Sequence, residues 1–534
     1  MRKSARNRAN SSASPFSEDY MKTTMKPIIA LIMALWTSIV AGEKLAPVGL
    51  QKQLLVDDHV IAEKRNITRE LGKPKKMGVV MKPSVPTDFH PTKPFPDGLP
   101  QTGINNEFAR RLSVVFNDNR RCFQMLYRAC RGSTGYAESK DGISWTKPIV
   151  SQDGKSNLIS YRGKNSGTFY ESSFMIDPTV PCGHPEKYKA AHNAGKTMCA
   201  LAYSADGIHW RGYNDGKPVT GRAADTHNQI LWDPIRNRYM FLTRTDQGPI
   251  YGQGESRTSR IMVHEKENNL LDYPTAWKTL IVINVDDPSH KMTEAGVPAF
   301  QMESMKIWVY ENIYFSLMHV LTMGELTGSE GRVPVEYPDK RPETDVIDFY
   351  IGTSRNGTDF DKSWVYAKKP FVQRGPDYSF DKAILEPSSE IITRGEKHFI
   401  YYTGLYSQHH SPAAAKKESG KIGLATLPLD RFICQQAKGR LGTIVTKPFR
   451  LEGDTLQVNV DAQKGRFYAE VLDSDGKAIP GFTVNEAKIF GGVDELRLKP
   501  QWNSNKDLSS LKGKTIRLKF NLYNAKLYAF QIKK

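Results

Sequence analysis

Four carboxylates stand at matching places along this chain, and any two of them brought together could act as an acid–base pair. Asp225 lies eight residues before Asp233, Glu303 eight before Glu311 and Glu386 eight before Arg394, and each of those second residues sits at a hairpin turn. Glu171 lies six residues before Asp177, on the same strand face, because side chains alternate along a strand. The first unit offers Glu107, whose register is ambiguous. Cleaving a glycosidic bond takes one carboxylic acid to protonate the leaving oxygen and one carboxylate as base or nucleophile. Asp225 is favoured because Ala224-Asp225-Thr226-His227 sets a lone acid among small and polar residues just before an apolar strand. The register predicts that Asp225, Glu303 and Glu386, with Glu171 as a fourth member, converge on one pocket. One of the converging carboxyls should have a raised pKa, so that it can serve as the acid.

Other side chains could assist. Arg244, which follows the strand Tyr239-Met-Phe-Leu-Thr, and Arg257 or Arg260 could bind hydroxyls or an anionic sugar group. His409-His410 follows the apolar run at 401–406 and could be a rim ligand or a general acid, with a solvated loop histidine as the simpler reading. Trp232, Trp308 and Tyr310 are read as core. No cysteine or histidine group has metal spacing, and no nucleotide, hydride, serine-elbow or zinc-protease motif occurs, so no cofactor and no metal are expected.

The elements that must position these residues repeat. Tyr136-Ala-Glu-Ser-Lys-Asp141-Gly142-Ile-Ser-Trp145 returns as Tyr203-Ser-Ala-Asp206-Gly207-Ile-His-Trp210, and more loosely as Tyr350-Ile-Gly-Thr-Ser-Arg-Asn356-Gly357-Thr-Asp-Phe360. Each is a strand, a tight turn and an aromatic, which is hairpin chemistry. Trp145, Trp210, Trp277, Trp364 and Phe432 are 65, 67, 87 and 68 residues apart, and the long gap holds a polar insertion at 323–344. Five units of about 67 residues, each with roughly four short strands, predict a five-bladed β-propeller over residues 43–438. From residue 439 to 534 the pattern becomes Leu456-Gln-Val-Asn-Val, Phe467-Tyr-Ala-Glu-Val-Leu and Ile516-Arg-Leu-Lys-Phe-Asn-Leu, which suits an antiparallel β-sandwich. The fold class is all-β.

Composition narrows the partner. The 534 residues carry a net charge of +18, of which +4 falls in the first 42 residues. The remaining Lys and Arg are scattered, without an arginine-rich helix or a finger signature, so a nucleic-acid partner is not expected. A basic surface favours an anionic partner such as a sulfated or uronic polysaccharide. Residues 28–40 form the only long apolar run, preceded by Lys22 and Lys26 and followed by small residues at 40–42. That order predicts a secretory signal within residues 21–42, with an uncleaved anchor as the alternative, and hence a secreted or periplasmic protein with no lasting membrane span. Cys122, Cys130, Cys182, Cys199 and Cys434 do not form a disulfide framework, so packing must hold the fold.

The chain resembles the five-bladed propeller glycoside hydrolases of families 32 and 43. The resemblance rests on Leu54-Leu-Val-Asp57-Asp58-His-Val-Ile, the two Ser-x-Asp-Gly-Ile-x-Trp turns and Ala224-Asp225-Thr226, together with Tyr401-Tyr402-Thr-Gly-Leu with His409, Gly423-Leu-Ala-Thr and Ala525-Lys-Leu-Tyr-Ala-Phe. It implies a carbohydrate substrate in a funnel at the propeller axis. The family-32 motifs Trp-Met-Asn-Asp-Pro-Asn-Gly, Arg-Asp-Pro and Glu-Cys are absent, so no catalytic residue carries over by motif. Two functions remain open at this point, a glycoside hydrolase and a non-catalytic propeller that binds glycan or protein.

Overall fold

The computed structural model describes residues 45–89, 108–163, 169–195, 198–220, 227–246, 257–266, 269–285, 300–322, 346–408 and 418–534. The apolar run at 28–40, Asp225 and His409 lie outside the described residues. Among the described residues, no helix is long and apolar enough to cross a membrane.

Among the described residues, five antiparallel meanders follow one another along the chain. Blade one is built from Ser113–Asn117, Cys122–Arg128 and Thr134–Ser139, with Thr146 bridged to its edge. Blade two starts at Tyr170–Ile176, blade three at Gln229–Asp233, blade four at Phe300–Tyr310 and blade five at Ile384–Pro387. The outermost strand of blade five, Lys75–Met81, comes from the N-terminal side of the chain, with Met81 opposite Ile422. Closing the last blade with an early strand ties the two ends of the ring together by backbone hydrogen bonds.

Apolar clusters are wedged between neighbouring blades, and they follow the ring all the way round. Leu126 of blade one meets Phe174 and Trp210 of blade two, and Leu201 meets Phe241 and Trp277 of blade three. Ile261 then meets Ile307 and Met318 of blade four, and Phe315 meets Leu385 and Ile400 of blade five. Tyr401 and Leu424 return to Val114 and Met125 of blade one. Each fully buried side chain of this size stabilises by about 1.5–3 kcal/mol relative to exposure, so these interfaces hold the ring without cross-links. All five cysteines are free.

The repeated turn has a physical explanation. Ser139, Ser204 and Ser354 each accept a hydrogen bond from the backbone N–H of the turn glycine, at 2.8, 3.0 and 3.0 Å. Asp141, Asp206 and Asn356 accept from the N–H groups two and three residues on. Gly142, Gly207 and Gly357 have φ of +77°, +80° and +76°, which a side chain would strain. In blade four the aromatic that follows this turn is Phe360, which packs at the interface with blade three. Trp364, taken as the repeat aromatic from its spacing, packs on the opposite side, between blades four and five.

The C-terminal part is a β-sandwich made from one curled sheet. Thr455–Asp473 and Thr515–Lys533 have 19 residues each and would reach about 60 Å if straight. Their pairing slips between Asp461 and Arg466, where the sheet bends, so residues from both halves share one core with Val458, Phe467, Phe520 and Phe530. The boundary expected at residue 439 falls inside the strand Ile433–Thr446, and Gly439 sits at a register shift in that strand. The same sheet takes in Gln53–Leu54, Ile61–Arg65 and Thr68–Leu71, so both ends of the chain build it.

Candidate functional site

The innermost strands run in the same direction, so their N-terminal ends gather at one mouth of the axis and their C-terminal ends at the other. Hydrogen bonds join them in the middle. The Gln229 amide donates to Ile307 O at 2.8 Å and to Ser389 O at 3.0 Å, and its Oε1 accepts from Ile307 N at 2.8 Å. Ser113 Oγ lies 2.7 Å from Ser389 Oγ, and Ser388 Oγ accepts from Val114 N at 3.0 Å.

At the N-terminal mouth, Glu303 and Glu386 converge as their register predicts. Both are buried. Glu303 sits at a register shift between Met302 and Ser304, an extra residue that bends the strand and re-aims its side chain. Arg110 and Arg111 approach from the segment leading into blade one, where Ala109 and Arg111 have φ of +64° and +57°. Left-handed backbone at non-glycine residues is strained and concentrates at functional sites. Here it turns two successive guanidinium groups toward the axis. The Arg110 Nη2 donates to Glu386 Oε1 at 2.8 Å, and Arg111 Nη1 to the same oxygen at 2.5 Å. Arg111 Nη2 is 3.5 Å from Glu303 Oε1, so one guanidinium links both carboxylates. Glu303 also meets Arg257 at 2.8 Å and Arg244 at 3.6 Å.

These partners decide the charge. Burial pushes the Glu303 carboxyl up, but Arg257, Arg244 and Arg111 more than offset this and hold it down at about 2. Glu386 is likewise pushed up by burial and brought well below the usual carboxylate range by Arg110 and Arg111. Neither Glu303 nor Glu386 therefore has the raised pKa expected of one converging carboxyl, while Asp225 and the Glu171 side chain lie outside the described residues. Both are held toward the ionised form near neutral pH.

Beside them lies a basic group that spacing did not single out. Lys306 Nζ is 2.8 Å from His319 Nε2 and donates to Pro387 O at 3.2 Å. Burial lowers Lys306 well below its ordinary value, against the opposing pull of Glu386, and lowers His227 and His319 as well. All three are held toward their neutral forms. Lys306 and His319 lie on strands of blade four and His227 just before the inner strand of blade three, and nothing in their spacing distinguishes them from core residues.

The remaining expected residues divide. Arg244 belongs to the cluster, as a partner of Glu303. Arg257, named only as an alternative to Arg260, makes the closer contact. Arg260 points to the other face of its strand, toward Cys199 of blade two. Glu171 has its backbone in the inner strand of blade two, and its side chain is outside the described set. Trp308 is core, stacked on Tyr310 at 5.0 Å. Among the described residues no group of three or more His, Cys, Asp or Glu could hold a metal ion.

The other mouth of the axis carries a cavity of about 230 Å³, lined by Trp232, Trp308, Pro178, Pro234 and Glu390 among others. Glu390 is four residues beyond Glu386, and burial alone pushes its carboxyl up to about 7.

No family model matches the chain, and no curated protein matches it. Among solved structures, a Parabacteroides distasonis protein assigned to the glycoside hydrolases is similar at 13% identity, covering 66% of this chain and 97% of that one, with a TM-score of 0.39. A family-43 endo-arabinanase from Bacillus licheniformis is similar at 12% identity, covering 61% and 94%, with a TM-score of 0.33. A family-32 β-fructofuranosidase from Bombyx mori is similar at 10% identity, covering 83% and 94%, with a TM-score of 0.33. At these scores the architecture rests on the strand pairing and the inter-blade cores, not on the likeness.

Proposed function

We propose that this protein is carbohydrate-active and of the glycoside hydrolase class, taking an anionic oligo- or polysaccharide at the N-terminal mouth of the propeller axis. The observation that carries the reading is the convergence of Glu303 and Glu386, from matching positions on neighbouring blades, onto one guanidinium. Carboxylates held in the ionised form suit the base, the nucleophile or the stabilisation of an oxocarbenium-like transition state. They do not suit the acid. That role goes to Asp225, whose register matches theirs, with Glu171 as the remaining choice. Arg110, Arg111, Arg244 and Arg257 orient the carboxylates and offer forks for a substrate carboxylate or sulfate.

One observation favours a second reading, a propeller that binds glycan without cleaving it: both described carboxylates are held by arginines, as a structural network would hold them. Release of reducing ends from neutral, uronic and sulfated polysaccharides separates the two. Hydrolysis of any member, lost by about 100-fold or more in folded Glu303→Gln, supports the enzyme. Sugar binding without turnover, lost in the same variant, supports the binder. We also propose that the chain acts outside the cytoplasm, on the strength of the segment at 28–40. N-terminal sequencing of the native protein should then begin near Gly42 or Glu43, and an intact Met1 or Met21 would contradict it.

A further inference from the structure

Two clefts flank the segment Glu70–Lys73, between the outer edge of blade five and the curled sheet. One, of about 530 Å³, lies against Leu427, Pro428 and the strands carrying Lys438 and Lys526. The other, of about 610 Å³, lies against residues 368–376. Both use Glu70, Leu71, Gly72 and Lys73, so they meet along one stretch of backbone. Blade five runs outward as Ile384–Pro387, Lys397–Leu405, Lys421–Pro428 and Lys75–Met81. The clefts share no lining residue with the strand that carries Glu386.

Their lining is strongly one-sided in charge. Eight Lys and Arg side chains face one carboxylate, Glu70. Four of the eight have acidic partners outside the lining: Lys76 with Asp381, Arg374 with Asp348, Arg431 with Asp494, and Lys526 with Asp461. Lys73, Lys368, Lys369 and Lys438 have no ion pair among the described residues, and all four are exposed. Even with the four partner aspartates counted, three positive charges remain in excess. Like charges gathered in a concave surface repel one another, and a matching polyanion relieves that repulsion.

We propose that these clefts form a secondary binding site for a linear anionic polysaccharide, sulfated or uronic, which holds the polymer while the axial site engages it. The proposal rests on the carbohydrate reading above and extends it to a surface that shares no residue with the axial cluster. The floor favours sugar over single-stranded nucleic acid. Base recognition needs exposed aromatic faces, whereas Phe371 and Tyr528, the two aromatics in the lining, are buried.

The test measures affinity of the full chain for a heparin decasaccharide at 50 and 200 mM salt, with dextran as the neutral control and single-stranded DNA as competitor. Wild type should bind heparin, ignore dextran and lose about tenfold or more in affinity at the higher salt. The variant K73E/K368E/K369E/K438E should lose at least about tenfold at 50 mM, and the milder quadruple Gln variant somewhat less. Because these four side chains are exposed, neither variant threatens the fold. Lys464→Glu, at an exposed lysine outside both sites, should leave heparin affinity unchanged, while turnover by Glu303→Gln reports on the axial site alone, which separates failure of this site from failure of the axial one. Equal heparin affinity in wild type and both quadruple variants would overturn the proposal, as would displacement of heparin by DNA at lower concentration than by heparin itself.

Discussion

The two mouths of the propeller axis hold glutamates that desolvation pushes in the same direction, and only one of them has cations to reverse it. Glu386 and Glu390 are four residues apart, roughly 13 Å along extended chain. Desolvation raises both. Glu386 meets two guanidinium groups and falls well below its ordinary range, whereas Glu390 meets proline, tryptophan and aliphatic walls and rises to about 7. Burial sets the size of the penalty, and the arginines decide its sign. A carboxylate at a propeller axis is therefore not an acid by virtue of its position. It becomes one only where cations are kept away.

The largest expected effect comes from removing the cation that serves both anions. Arg111→Met should destabilise the protein by about 3–5 kcal/mol at pH 7 in denaturant unfolding, because it leaves two buried carboxylates short of a partner. Adding Glu303→Gln and Glu386→Gln to Arg111→Met should recover much of that loss. No recovery would show that the arginine acts through packing rather than charge.

The pH dependence of stability sharpens the contrast. Glu303 is lowered from 4.5 to about 2, so its contribution is present above pH 4.5 and disappears as the pH falls through about 2. Glu390 is raised from 4.5 to about 7, so the folded state holds its proton longer and stability declines as the pH rises from about 4.5 through 7. Each limb amounts to at most about 3 kcal/mol. Unfolding measured from pH 3 to 9 should show Glu390→Gln flattening the neutral limb and leaving the acid limb intact. A neutral limb that persists in this variant would assign it elsewhere.

A smaller effect belongs to the partition between the mouths. Gln229→Leu leaves Ile307 N, Ile307 O and Ser389 O without that side-chain partner, at about 1–3 kcal/mol. It adds no charge, so the titration of Glu390 should stay near 7. A large move would mean that the two mouths are electrostatically coupled through the axis.

The ring and the register were legible because both are local chemistry. Ser139-x-Asp141-Gly142 writes its own turn through hydrogen bonds two and three residues away, and the count back from each hairpin placed Glu303 and Glu386 on one axis. The charge of the site was not legible, because its determinants come from elsewhere in the chain. Arg110 and Arg111 enter from a strained segment before blade one, and Arg257 reaches Glu303 from the neighbouring blade. Spacing within a repeat carries no information about what the adjacent repeat presents. The same holds for Lys75–Met81, which completes a blade made almost wholly of residues from the far end of the propeller. It holds too for the sheet boundary, where Gly439 reads as a linker but marks a bend in a paired strand.

The most direct measurement follows glutamate side-chain carboxyl ¹³C shifts from pH 3 to 9 in selectively labelled protein, with assignments from the three Gln variants. Glu303 and Glu386 should remain in their ionised positions down to about pH 3, while Glu390 titrates near pH 7. Titration of Glu303 or Glu386 above pH 4.5 would contradict the account, since an arginine-held carboxylate cannot bind a proton there.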